Sequence, residues 1–265
     1  MNTNSNTYTV IYSIGLVVVV AAVLAFVATA LKEKQDENVK KDTISQILTA
    51  ADVKFTDDNV LEAYDGAIKE AILVDINGAV VDSLDIKNRE VYGTADLKKH
   101  MIDEDMFPVY VFENVIVIPC YGAGLWGPIW GYIGVDKTDY TTITKACFGH
   151  KGETPGLGAK ITDEPAAFAD KFQKKHVGEF SVAKNVDETD LSAVNAISGA
   201  TITSQAVGKA LNKWFGFYNN YFAKMRPAVE QEKPEEPTQP TEPAEGAEEN
   251  AATETGAEDT PVVTE

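Results

Sequence analysis

The sequence predicts an α+β domain, an antiparallel sheet with flanking helices, behind one N-terminal transmembrane helix and before a disordered acidic tail. Three observations carry this prediction. Residues 10–31 form an uncharged apolar run, the middle of the chain holds short β-rich segments joined by connections too short for crossover helices, and two late stretches show helical spacing. Strands first and helices afterwards are the order of an α+β chain, not of alternating βαβ units.

After a short segment at residues 1–9, the run over residues 10–31 would extend about 33 Å as a helix, matching the roughly 30 Å hydrocarbon core of a bilayer. Four consecutive valines, Val17 to Val20, and no polar face make it a poor amphipathic helix. Ala28-Thr29-Ala30 has the form of a signal-cleavage site, but the run exceeds the roughly 7–15 residues of a signal core and nothing basic precedes it, so an anchor is favoured. Lys32, Lys34, Lys40 and Lys41 follow the span, and a plain positive-inside count would place the main domain in the cytoplasm.

The domain expected at residues 32–226 opens with a short helix over residues 38–52, where Ile44, Ile47, Leu48 and Ala51 share a face behind a cap at Asp42 or Thr43. Residues 71–81 read as a hairpin about Asn77-Gly78, both of which tolerate positive φ. Further strands are expected over 109–118, broken at Glu113-Asn114, over 129–135 and over 140–147. Residues 165–176 read as a helix with Pro165 in its first turn and Phe168 and Phe172 four apart. Residues 202–222 read as another, with Val207, Leu211, Trp214, Tyr218 and Tyr221 in a stripe. Residues 227–265 are rich in Glu, Pro, Thr and Ala without an aromatic residue, the composition of a disordered tail.

Charge and composition exclude several functions. The net charge of -18 is uneven: from residue 228 onward twelve acids face Lys233 alone, so the remainder is only mildly acidic. No basic cluster stands out, which argues against nucleic-acid binding. Two cysteines, Cys120 and Cys147, cannot build a disulfide framework or a four-cysteine metal site; buried thiols are the default, with a disulfide open if the domain is extracytoplasmic. The three histidines occur in no H-E-x-x-H pattern, and G-x-S-x-G is absent, so hydrolase readings lack their parts. Glycines at 122, 124 and 127 fit G-x-G-x-x-G, but a strand follows rather than a helix, which argues against dinucleotide binding.

One constellation remains. Ser198-Gly199-Ala200-Thr201-Ile202-Thr203-Ser204 places small residues and hydroxyls directly before the late helix. Free N–H groups and the positive end of the helix dipole would favour a phosphate there, whereas the bland alternative is that Ser198, Thr201 or Thr203 only caps the helix. The loop Glu153-Thr154-Pro155-Gly156-Leu157-Gly158 is rigid and glycine-punctuated, suited to approaching a flat ligand. Leu125 and Trp126 supply apolar surface for a ring system, although Trp126 is equally readable as a core aromatic, and His150 reads as structural rather than as a proton donor.

Together S-G-A-T at 198–201, G-E-T-P-G-L-G at 152–158 and G-L-W at 124–126, in this order behind one span, resemble the C subunit of the Na+-translocating NADH:quinone reductase over roughly residues 8–225. The first two motifs are shared with the G subunit of the Rnf-type ferredoxin:NAD+ oxidoreductase, and the G-L-W-G-P segment favours the quinone reductase. A membrane-anchored adaptor without redox chemistry is the alternative from another class. The resemblance implies FMN joined by a phosphoester to Thr201, with Ser198, Gly199 and Ala200 as the phosphate turn, Thr154, Pro155, Gly156, Leu157 and Gly158 as a wall, and Leu125 and Trp126 as apolar lining. It further implies a one-electron relay. Electrons from NADH at another subunit would arrive through an iron centre and pass to a second FMN-carrying membrane subunit, then to riboflavin and quinone. Attachment would need a Mg2+-dependent flavin transferase that uses FAD and works outside the cytoplasm, which puts the domain outside, against the positive-inside count. The family pattern has an acid six residues before the modified threonine, where this chain has Asn195.

Overall fold

The computed structural model describes residues 6–163 and 167–226. The tail expected over residues 227–265, residues 1–5 of the N-terminal segment and Pro165 of the expected 165–176 helix lie outside the described residues.

Helix α1 runs Asn6–Ala50 without a break, where the sequence suggests a span and a separate short helix. No glycine or proline falls between Leu31 and Ala50, and the Lys, Glu and Gln residues there are good helix formers, so nothing stops the apolar helix from continuing. Its N-terminal part is long and apolar enough to cross a membrane, with none of that stretch buried. At the other end Ile44, Ile47 and Leu48 are fully buried, on the face their spacing anticipates. Asp52, at φ 57, closes the helix in the left-handed conformation. The N–H of Asp52 donates to Thr49 O at 3.1 Å and that of Val53 to Leu48 O at 3.0 Å, which satisfies two terminal carbonyls.

A six-stranded sheet follows, built from β1 Glu70–Val74, β2 Val80–Ser83, β3 Phe107–Val111, β4 Val115–Ala123, β5 Pro128–Asp136 and β6 Ile143–His150. Its order is β2-β1-β3-β4-β5-β6, with every pair antiparallel. Two helices that the sequence reading leaves unassigned precede parts of it, α2 Val60–Ala67 and α3 Thr94–Asp103. The β1–β2 turn forms at Asn77-Gly78, but it is longer than a two-residue hairpin. Only Gly78 takes positive φ, at 70, while the Asp75 carboxylate accepts the Ala79 N–H at 2.8 Å. The last strand starts three residues later than expected. Tyr140 is left-handed at φ 51, and Asp139 accepts the N–H groups of Thr141 and Thr142, which holds residues 139–142 in a turn.

The expected 165–176 helix is corrected: its described part contains a 3-10 turn, Ala169–Phe172, and Lys174 reverses the chain at φ 63. Phe168 and Phe172 are both buried with ring centroids 5.3 Å apart, so their spacing serves packing rather than a helical face. The short strands β7 Ser181–Ala183 and β8 Ala193–Asn195 pair in parallel. The final helix, α4, is Thr201–Met225.

Side-chain alternation gives the sheet two apolar faces. Ile116, Ile118, Cys120, Ile129, Ile133 and Phe148 pack with Val207, Leu211, Trp214 and Tyr218 of α4 on one face. Val117 and Tyr132 pack with Ile44, Ile47, Leu48 and Tyr64 of α1 and α2 on the other. Cys120 opposes Gly131, whereas Cys147 opposes Tyr132 one residue along β5. The two thiols therefore project from opposite faces, and no disulfide joins them. Burial, with a smaller contribution from Cys147, pushes the Cys120 thiol up to about 12.

Helix α4 is fixed by polar contacts along its length. Asn212 bonds both backbone groups of Phe180, Trp214 Nε1 donates to Tyr121 O at 2.9 Å, and Tyr218 Oη donates to Pro108 O at 2.7 Å. These contacts set the register of the helix, and so determine where its N-terminus stands.

Candidate functional site

The α4 N-terminus stands at the tip of the β4–β5 hairpin and the loop after β6, and together they enclose an open cleft of about 310 Å³. Gly124 N–H donates to Gly127 O at 2.8 Å, which closes the hairpin and pushes Leu125 and Trp126 outward. Trp126 is 69% exposed, so its reading as a core aromatic is overturned. Leu157 and Ile202 are exposed as well, and with Leu125 and Trp126 they give the cleft an apolar rim.

Of the expected residues, Leu125, Trp126, Thr154, Leu157, Gly158, Gly199, Ala200 and Thr201 line this cleft. Ser198, Pro155 and Gly156 are adjacent in the chain but outside the lining. Four lining residues were missing from the expected set: Glu153, Lys184, Ile202 and Thr203. Glu153 and Thr203 lie inside the motifs themselves, and their types carried no separate signal. Lys184 comes from the turn after β7, a strand the sequence does not reveal.

The bland alternative, that a hydroxyl caps α4, is not met. The N-cap is Ala200, without a side-chain hydrogen bond, and Gly199 before it takes φ 81, a conformation that favours glycine. Ser204 is the first residue of the helix whose N–H bonds back, to Ala200 O at 3.0 Å. The N–H groups of Thr201, Ile202 and Thr203 thus have the unsatisfied character of a first helical turn. The hydroxyls divide sharply. Ser204 Oγ is buried and donates to Ala200 O, and Thr203 Oγ1 is buried and donates to Glu153 Oε2 at 2.7 Å. The half-exposed Thr201 hydroxyl makes no hydrogen bond among the described residues.

Glu153 is buried, yet its carboxyl lies below the usual Glu range. Burial raises it, but the Trp126 N–H, the Thr203 hydroxyl and the Leu125 N–H outweigh that effect. A depressed folded value stabilises the fold fully above the ordinary Glu range, and this contribution fades as pH falls through the folded value. Thermal melts from neutral to acidic pH are therefore expected to decline more steeply for wild type than for Glu153→Gln; parallel curves would show that the carboxylate carries no such linkage.

His150 does not line the cleft; its Nδ1 is buried without a hydrogen-bond partner among the described residues. Asn195 performs local bonding: Oδ1 accepts the Val186 N–H at 3.0 Å and Nδ2 donates to Val186 O at 3.5 Å. A carboxylate could accept there but not donate. A smaller cleft of about 230 Å³ lies beside Lys171 and Lys175, but the Lys175 ammonium is committed to the carbonyls of Glu188 and Asp190.

Comparison with known proteins matches this same region. The FMN-binding domain family matches residues 124–216, from the hairpin tip into α4. The C subunit of the Na(+)-translocating NADH-quinone reductase from Pseudomonas aeruginosa is 29% identical over 259 residues, covering 81% of this chain and 93% of that protein. Its Haemophilus ducreyi counterpart is 26% identical, covering 84% and 94%. The crystal structure of the C subunit from Parabacteroides distasonis superposes with a TM-score of 0.61 at 35% identity, over 72% of this chain and 96% of that one. The Shewanella oneidensis protein NqrC, at 23% identity and a TM-score of 0.60, shares the fold. Over nearly the whole of a solved relative, with the cleft inside the matched domain, the chain belongs to the family of the C subunit of the Na+-translocating NADH-quinone reductase.

Proposed function

We propose that this chain carries FMN in a phosphoester bond to Thr201 and serves as an electron-relay subunit of the membrane-bound Na+-translocating NADH:quinone reductase. The observation that carries the reading is the Thr201 hydroxyl, without a partner among the described residues, at an uncapped helix N-terminus that opens into an apolar-rimmed cleft. The cleft suits FMN: the three N–H groups of the first turn and the helix dipole would hold a phosphate, Lys184 would add positive charge, and the rim of Leu125, Trp126, Leu157 and Ile202 is suited to a flat ring.

Bound flavin supplies the redox chemistry, and the protein supplies position and electrostatics. Thr201 fixes the phosphate end. Gly199 would let backbone approach it closely, and Thr154 and Gly158, which line the same cleft, would form a wall beside the flavin. No base contacts the Thr201 hydroxyl among the described residues, so attachment requires a separate flavin transferase. With FAD as donor, the Thr201 oxygen would take the place of AMP on the phosphorus of the FMN half, AMP would leave with its own phosphate, and the transferase would accept the hydroxyl proton. The partners are the other subunits of the reductase, above all the second FMN-carrying membrane subunit.

The domain at residues 32–226 stands outside the cytoplasm, anchored by the apolar part of α1 over residues 10–31. A phosphatase active only outside the cytoplasm, fused after Met225, is expected to be active; activity of a cytoplasm-only reporter at that point would reverse the orientation. The function is tested by coexpressing the full chain with a flavin transferase and illuminating a denaturing gel. A fluorescent band is expected at the subunit's mass, and its absence with active transferase present would overturn the reading.

A further inference from the structure

Glu153 is the carboxylate that lines the cleft; it is only 4% exposed and, from the loop after β6, bonds the two other segments that meet there. Oε1 accepts the N–H of Trp126 at 2.9 Å and Oε2 accepts the hydroxyl of Thr203 at 2.7 Å. The hairpin tip and the first turn of α4, 77 residues apart in the chain, are thus bridged by one side chain. Space has been cleared for it on both sides. A Cβ at Gly124 would fall 2.5 Å from Oε1, and one at Gly158 would collide with Oε2 and with Thr203 Oγ1, so the carboxylate occupies the volume those glycines leave empty.

This contact carries a disproportionate load. Leu125 and Trp126 are exposed at the hairpin tip, so their side chains bury little apolar surface, and the Trp126 N–H is held by the Glu153 carboxylate. Thr203 donates its proton to the carboxylate, which commits that hydroxyl, whereas the Thr201 hydroxyl at the helix start bonds nothing among the described residues.

We infer that Glu153 is a positioning residue of the flavin site, holding the Leu125–Trp126 wall at a fixed distance from the helix turn that carries the flavin phosphate. The role rests on the FMN reading above, but the positioning itself exists without flavin, which allows the two to be tested separately.

The experiment uses the full chain in detergent, with and without a coexpressed transferase, as wild type, Glu153→Gln and Glu153→Ala. In the flavin-free chains, hydrogen exchange at the Trp126 amide is expected to be at least tenfold faster in Glu153→Ala than in wild type, about the factor set by losing one charge-assisted hydrogen bond. The amides of β4 and β5 should keep their protection. Glu153→Gln keeps an acceptor of the same size and is expected to restore most of the protection at Trp126. In the loaded chains, fluorescence of the bound flavin should rise in Glu153→Ala as the indole moves away, and return toward wild type in Glu153→Gln. Equal Trp126 exchange in all three chains overturns the inference. Exchange that rises across the whole sheet in Glu153→Ala, without recovery in Glu153→Gln, would also overturn it, because the role would then be general stability. Failure of wild type to acquire flavin sinks the FMN reading and leaves the exchange result standing by itself.

Discussion

Thr201→Val is expected to abolish covalent flavin completely while leaving the fold intact. Valine keeps the β-branched shape and removes only the hydroxyl, and Thr201 is half-exposed with no hydrogen bond through that group among the described residues. Substitutions at such positions shift stability by about 0.5 kcal/mol or less. The neighbouring hydroxyls are not substitutes: Thr203 is engaged by Glu153, and Ser204 is committed to the Ala200 carbonyl beneath the turn. Fluorescence on a denaturing gel should therefore disappear in the variant, with an unchanged circular dichroism melt. Noncovalent FMN can still meet the N–H groups of the turn, so a native chain soaked in FMN should retain weak binding that denaturation releases. Covalent flavin persisting in Thr201→Val, mapped by peptide mass to another residue, would move the attachment site.

Trp214→Ala is expected to cost about 3–5 kcal/mol, the range for deleting a large buried aromatic side chain. Trp214 is fully buried, packs edge-on against Phe107 at 5.8 Å and Phe217 at 5.7 Å, and donates to Tyr121 O near the end of β4. Removing it opens a cavity between α4 and the sheet and leaves that carbonyl without its indole donor. The loss should reach the cleft, because α4 carries Thr201 and β4 leads to Leu125. Urea unfolding should show the lower midpoint, and flavin incorporation should fall with the folded fraction. A smaller control is available in Leu157→Ala, an exposed rim position expected to leave stability near wild type. Trp214→Ala with a midpoint near wild type would contradict the assignment of this helix as the brace of the site.

Much of this arrangement was legible in the residues. The apolar span, the hairpin breaks and the stripe on α4 depend on local periodicity and turn chemistry, and each strand expected from them formed within a few residues of its place. Continuity of α1 was missed because the change from apolar to charged residues suggested a boundary, although composition alone does not end a helix. Phe168 and Phe172 show the converse error: a spacing of four fits a helix face, but it also fits two rings packed against Phe148 around a 3-10 turn. Strands β7 and β8, three residues each, are too short for any period to register. In the site, residues of both motif segments line one cleft. Glu153 was hidden because its importance comes from contacts 27 and 50 residues away, with Trp126 and Thr203, which no local pattern encodes. Asn195 is similar: its departure from the family pattern has a local explanation only once Val186 is placed beside it.

The central claim is that this protein bears FMN on Thr201, and the intact mass of the chain from its native membrane, followed by mapping of the peptide containing residues 198–204, tests it most directly. The expected mass exceeds that of the unmodified chain by one FMN less one water, with the whole increment on Thr201. An unmodified mass, or an increment on any other residue, would contradict it.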